Sequence, residues 1–210
     1  KAKNVEAAGP SWHPVVYHSL DVASVGEVYL KKHPSFLSFF SEALNAPTSL
    51  IQSWLRYLLL IHDLGKFSRA FQGQKQELVQ EITGLSSSPS SYEIRHDTLG
   101  FMAWSHWGLG DELLFKTPEN LKQRRWEKHW TQWVKASCGH HGMPPEENPK
   151  DTLGMRLHFS EEDEKNIKKY LYEIKKITGD HSVWEPQENF LKQSKKLSWW
   201  IAGLSVLSDW

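Results

Sequence analysis

The sequence predicts an all-α domain, and three observations carry that reading. Apolar residues recur at three- and four-residue steps through several separate segments, the spacing of one helix face. Pro14, Pro34, Pro47 and Pro144 fall at the edges of those segments, where a missing backbone N–H is tolerated. Eleven tryptophans among 210 residues, within an aromatic content of 12%, suit a core built from bulky rings.

Residues 1 to 12 show no periodicity and read as a lead-in. Pro14 suits the first turn of a helix whose inner face is Val15, His18, Val22, Val25 and Tyr29. Asp21 lies three residues after His18, in reach of its imidazole either as an orienting partner or as a solvated charge. The residue before a proline avoids the helical region, so His33-Pro34 ends this helix, and a phenylalanine-rich segment runs from Phe36 to Leu44. Thr48 or Ser49 then caps a helix with Ile51, Trp54, Leu55, Leu58 and Leu59 as its inner stripe. The same steps arrive at His62, which therefore faces inward. Gly65 and Lys66 mark a turn, and Phe67, Ala70 and Phe71 a short continuation.

Residues 84 to 91 read as a mobile loop, either over a site or as a plain connection. His96 falls just before, or in the first turn of, a helix carrying Leu99, Phe101, Met102, Trp104 and Trp107. From Leu121 to Cys138 the pattern is amphipathic, with Trp126, Trp130, Trp133 and Val134 on one side as core. Gln123-Arg124-Arg125 beside it is the nearest thing to a basic patch. That helix delivers Gly139-His140-His141-Gly142, and Pro144-Pro145 forbids its extension. Residues 146 to 159 read as a loop. Ser160 and Asp163 form a capping box ahead of Ile167, Tyr170, Leu171 and Ile174. After a connection at 179 to 186, the last helix runs from about Gln187 through Leu197, Trp200, Ile201, Leu204, Leu207 and Ser208 to Asp209.

The length suits one domain over 1–210. Lys and Arg total 25, as do Asp and Glu, so the zero net charge argues against a general nucleic-acid binder. Phosphate affinity would have to come from a local patch or from bound cations. The single cysteine, Cys138, excludes an internal disulfide framework and fits a reducing compartment. With no secretory segment and no apolar run of roughly 20 residues, the expectation is a soluble cytoplasmic chain without a membrane partner. The chain starts without methionine and stops at Trp210 inside an apolar helical pattern, as a piece of a longer protein would.

Buried charge is expensive unless it is paired or binds a metal. Five stretches distant along the chain each present histidine or aspartate: His18, His62-Asp63, His96, His140-His141 and Asp209. Each alone has an ordinary explanation, a core histidine bonded to a carbonyl or a helix end at the surface. Together they point to a metal centre. Imidazole with carboxylate suits borderline divalent metals such as manganese, iron, cobalt, nickel or zinc. Seven ligands are too many for one catalytic metal that keeps an open position, whereas two cations ~4 Å apart, bridged by Asp63, would use them well.

This order of motifs resembles the HD phosphohydrolase superfamily, and more closely the HD nuclease domain of the CRISPR-associated helicase-nuclease of type I systems, nearest its I-E branch. The likeness rests on the runs His13 to Ala23, His62 to Phe67, Gly139 to Gly142 and Leu204 to Trp210. It implies an HD-domain helical bundle around a dinuclear site. His18, His62, Asp63 and Asp209 would hold one divalent cation, and Asp63, His96, His140 and His141 the other, with a transition metal expected and magnesium possible. Asp63 and Lys66 would be the catalytic pair, Lys66 steadying the scissile phosphate.

The implied reaction is metal-assisted hydrolysis of single-stranded DNA in CRISPR interference. An ATP-driven helicase domain of the same protein would feed the strand, and an RNA-guided surveillance complex (Cascade) would recruit it. ATP belongs to the helicase part, so this chain is expected to lack ATPase activity. An HD phosphohydrolase acting on nucleotides or cyclic nucleotides is the alternative enzyme, although such enzymes do not share the first and last runs. A non-enzymatic, metal-stabilised domain that docks a partner protein is the third reading. His33, His106, His129, His158 and His181 fall outside the motifs and are expected to be dispensable.

Overall fold

The computed structural model describes residues 12–84, 92–108, 117–145, 152–178 and 184–210. Every regular element among them is helical. In chain order they are α1 (Val15–Lys32), α2 (Pro34–Leu44), α3 (Thr48–Ile61), a 3-10 turn (Leu64–Phe67), α4 (Arg69–Gln72), a second 3-10 turn (Gly73–Lys75) and α5 (Gln76–Thr83). Then follow α6 (His96–Ala103), running into a π-helical turn (Trp104–Gly108), α7 (Gln123–Cys138), α8 (Thr152–His158), α9 (Glu161–Thr178) and α10 (Phe190–Asp209).

A helical stretch that is apolar on all sides must be surrounded, and the second half of α3, from Tyr57 to Ile61, is such a stretch. Leu50, Ile51, Trp54, Leu55 and every residue from Tyr57 to Ile61 are buried. Helices α1, α2, α7, α9 and α10 pack around it. Arg56 is its link to the rim, ion-paired with Glu27 of α1 while its Nη1 donates to the Ile177 carbonyl of α9 at 3.1 Å. Trp54 of α3 and Trp126, Trp130 and Trp133 of α7 are core, as their spacing predicts, whereas Trp199 and Trp210 are exposed. Trp54 lies 5.2–5.8 Å, centroid to centroid, from Trp126, Trp130, Trp133 and Trp184, mostly edge to face.

Several local expectations change. The buried face of α1 is Ser19, Val22, Ala23, Gly26 and Leu30, and Val25 points to solvent. Counting only large apolar residues rotated that face, because α1 approaches α3 through small ones. A Cβ on Gly26 would run into the Leu59 side chain. Neither Thr48 nor Ser49 caps α3: Pro47 holds the N-cap position and no side chain bonds there. Residues 152–158 form α8 where a loop was expected. α10 starts at Phe190 rather than near Gln187, and Trp200 and Leu207 are half exposed, with Trp200 set against Phe36 and Phe39 of α2.

The capping box of α9 forms as expected: the Ser160 N–H donates to Asp163 Oδ2 at 2.7 Å and the Asp163 N–H to Ser160 Oγ at 3.2 Å. The lead-in at 1–11, the serine-rich stretch 85–91, residues 146–151 and the segment 179–183 with His181 lie outside the described residues. No described helix is long and apolar enough to cross a membrane.

Candidate metal centre

Helices α3, α7 and α10 all finish at one place. Their last residues or the turns just beyond supply His62-Asp63, His140-His141 and Asp209. Helix C-termini carry partial negative charge, so three of them converging favour cations there. His18 comes from the first turns of α1, and His96 is the first residue of α6.

The last carbonyls of a helix have no partner within it, and the end of α3 is buried. Three side chains supply donors: Ser137 Oγ to the Leu58 carbonyl (2.8 Å), His62 Nδ1 to that of Leu59 (2.6 Å) and the Tyr170 hydroxyl to that of Leu60 (2.7 Å). A carbonyl only accepts, so His62 keeps a proton on Nδ1 and turns Nε2, the atom a cation would take, toward the centre. His140 is set the same way, its Nδ1 lying 3.3 Å from the Ser137 carbonyl. The turn holding His140 and His141 closes through the Gly142 N–H to the Gly139 carbonyl at 3.0 Å. Its φ of +84° at Gly142 is a left-handed conformation that glycine adopts without penalty.

Asp63 sits in the middle, fully buried. Its Oδ2 lies 2.8 Å from His18 Nε2 and 3.3 Å from His62 Nε2, and pairs with the Lys66 ammonium. Its Oδ1 lies 3.3 Å from His96 Nε2 and 3.6 Å from His140 Nε2. Asp209 Oδ1 approaches His18 Nε2 at 3.2 Å and His62 Nε2 at 3.8 Å. His141 Nε2 is 2.9 Å from His96 Nε2. The structure thus brings together all seven residues singled out from the sequence. They fall into two groups, His18–His62–Asp63–Asp209 and His96–His140–His141, with ligand atoms within 4.8 Å of one another in each. Gly65 holds the groups in register: a Cβ there would collide with the His96 carbonyl and the Gly100 nitrogen, so the turn after Asp63 touches α6 backbone to backbone.

The electrostatics suit cations. Burial opposes charge on Asp63, yet His62, His18 and His96 hold its carboxyl well below the usual carboxylate range. His18 and His62 beside it lower Asp209 likewise. Asp209, with Asp63, raises His18. Burial works against the His62 imidazolium, but the two carboxylates outweigh it and lift its pKa to about 9. His140 goes the other way, to about 4, chiefly through burial, and burial with the neighbouring His96 lowers His141. Both are therefore neutral at pH 7, with lone pairs to offer. His62 Nε2, His140 Nε2 and Asp63 Oδ1 are buried without a hydrogen bond. Buried polar atoms left in this way are costly, and a divalent cation between them fits the donor set.

Of the two readings of Asp21, the structure favours the surface one: it pairs with His13 at 3.0 Å, both side chains exposed. Sequence reasoning missed the outer partners Ser137, Tyr170 and Tyr92. Only the hydroxyls of Ser137 and Tyr170, set within otherwise apolar helix stripes, hint at them.

A sequence model of the family described as "Cas3, HD domain" matches residues 1–210. The chain belongs to the Cas3 HD-domain family. It is 27% identical over 143 residues to the CRISPR-associated endonuclease/helicase Cas3 of Escherichia coli K12, and 26% over 160 residues to that of Thermus thermophilus. Those matches cover 64% and 74% of this chain, which spans only 16% of each relative. The Thermus thermophilus Cas3 HD domain solved in the presence of Ni2+ superposes with a TM-score of 0.60 at 18% identity, over 97% of this chain and 72% of that one. T. fusca Cas3 with AMPPNP gives 0.64 at 19% identity, over all of this chain and 22% of that one. At such identities the superpositions speak for the HD-domain fold.

Proposed function

We propose that this HD domain hydrolyses phosphodiester bonds of single-stranded DNA with two divalent cations, as the nuclease of a CRISPR-associated endonuclease/helicase. The observation that carries the reading is the placement of Asp63, whose two oxygens face separate imidazole groups. His18, His62, Asp63 and Asp209 would hold one cation, and His96, His140 and His141, with Asp63 Oδ1, the other. A predominance of imidazole favours manganese, iron, cobalt or nickel over magnesium. When bound, such a pair activates water and carries charge on the leaving oxygen.

The chain's own part is positional. Leu59 and Ser137 hold His62 and His140 in the ligating tautomer through their carbonyls. Lys66 adds an ammonium beside Asp63, a partner for a phosphate oxygen. The cavity keeps Asp63 and Asp209 ionised. With zero net charge the domain has little long-range pull on DNA. Delivery of the strand then falls to an ATP-driven helicase part and an RNA-guided surveillance complex (Cascade), in a reducing cytoplasm where Cys138 stays a buried free thiol.

The test offers the chain circular single-stranded DNA, nucleoside monophosphates and cyclic nucleotides, with Mn2+, Co2+, Ni2+, Mg2+ or chelator. Metal-dependent cutting of the circle is expected. Hydrolysis of nucleotides with the circle intact would assign the site to small-molecule phosphohydrolysis. Tight metal without any hydrolysis would leave a binding domain.

A further inference from the structure

We propose that Tyr92 is a positioning residue: its oxygen gives His96 Nδ1–H an acceptor, supporting the tautomer that leaves Nε2 free to ligate, and so sets the affinity of the second cation more than that of the first. The inference rests on the two-cation reading of the site. Tyr92 lies four residues before α6. The His96 backbone N–H, one of the unpaired donors of the first turn, donates to the Tyr92 oxygen at 2.8 Å. His96 Nδ1 lies 3.0 Å from the same oxygen. Arg95, at the N-cap position, supplies no side-chain cap, so the phenol of Tyr92 does that work from outside. Phe71 confines the pair, its ring edge to face with Tyr92 at 5.8 Å and with His96 at 5.4 Å.

The chemistry of the outer partner distinguishes His96 from its neighbours. At His62 and His140 the Nδ1 atom faces a backbone carbonyl, which can only accept. A phenol both accepts and donates. With one lone pair taken by the His96 backbone N–H, the oxygen can accept from Nδ1–H, which leaves Nε2 bare and able to ligate. It can instead donate to Nδ1, which moves the proton to Nε2, toward His141 Nε2 at 2.9 Å and Asp63 Oδ1 at 3.3 Å. In that second state His96 is no ligand. Tyr92 therefore acts on the group His96–His140–His141 through His96, by its backbone N–H and its Nδ1. Removing such an outer partner costs about 10–100-fold in metal affinity.

Tyr92→Phe keeps the ring against Phe71 and deletes only the oxygen. On the 210-residue chain, 15N NMR of the imidazoles without metal should show a larger share of the His96 Nδ1–H tautomer in the wild type than in the variant, where only Asp63 Oδ1, on the Nε2 side, is left as an acceptor. Calorimetric titration with Co2+ should show one binding event reduced about 10–100-fold and the other changed less than twofold. An unmoved tautomer share, two unmoved events, or equal losses in both events would overturn the proposal. A wild-type chain that takes up a single Co2+ while the tautomer still shifts would uphold the hold of Tyr92 on His96 and sink the two-cation reading instead.

Discussion

His129 and His62 are both fully buried in the same bundle, and their surroundings send them in opposite directions. His129 is walled by Trp54, Trp126, Trp130, Trp133 and Phe190 at 4.3–5.6 Å between centroids, with Ser194 Oγ 2.6 Å from Nδ1. Burial alone pushes its pKa well below the ordinary value, so it stays neutral. It packs as one more ring with a polar edge. Around His62 the carboxylates of Asp63 and Asp209 share the cavity and raise the imidazole above its ordinary value. What separates a core histidine from a candidate ligand here is a carboxylate within about 4 Å, the range at which opposite charges still couple strongly. Burial does not separate them.

That contrast can be broken at either end. The largest effect belongs to Asp63→Ala, which removes the oxygen pair facing both imidazole groups. Hydrolysis should fall at least about 10³-fold, several kcal/mol of barrier, and bound metal per chain should drop. Full nuclease activity with two cations retained would contradict the arrangement. Next comes Trp54→Ala in the aromatic region, expected to lower stability by about 3–5 kcal/mol by urea midpoint. Cations bound per folded chain should be unchanged.

A smaller effect concerns pH. Folded His129 resists protonation, while in the unfolded chain it accepts a proton below its ordinary value of 6.5. Its contribution is therefore complete above pH 6.5 and drains away as pH falls below it, by up to about 1.4 kcal/mol per pH unit. In His129→Gln that part of the acid slope should vanish, seen by comparing urea midpoints at pH 7 and pH 5. An identical slope would mean that His129 is not a neutral packing residue. The smallest effect is at His33 and His106, both exposed: replacement by alanine should leave metal content and cleavage as they are.

By itself the amino-acid sequence determined the helical class, most helix positions and the seven converging residues. Those signals are local: three- and four-residue periodicity, prolines at helix edges, and histidines or aspartates at the ends of apolar runs. His62 could be placed inward by counting from Leu55 and Leu58 along one helix. Tertiary structure alone decided which face α1 buries, because Gly26 and Ala23 pack closely without announcing themselves as apolar. It alone decided the facing of the two Asp63 oxygens and the outer partners Ser137, Tyr170 and Tyr92. The Ser137 and Tyr170 bonds to α3 join positions 79 and 110 residues apart. Such hydrogen bonds depend on where one helix crosses another, and no short-range pattern encodes a crossing.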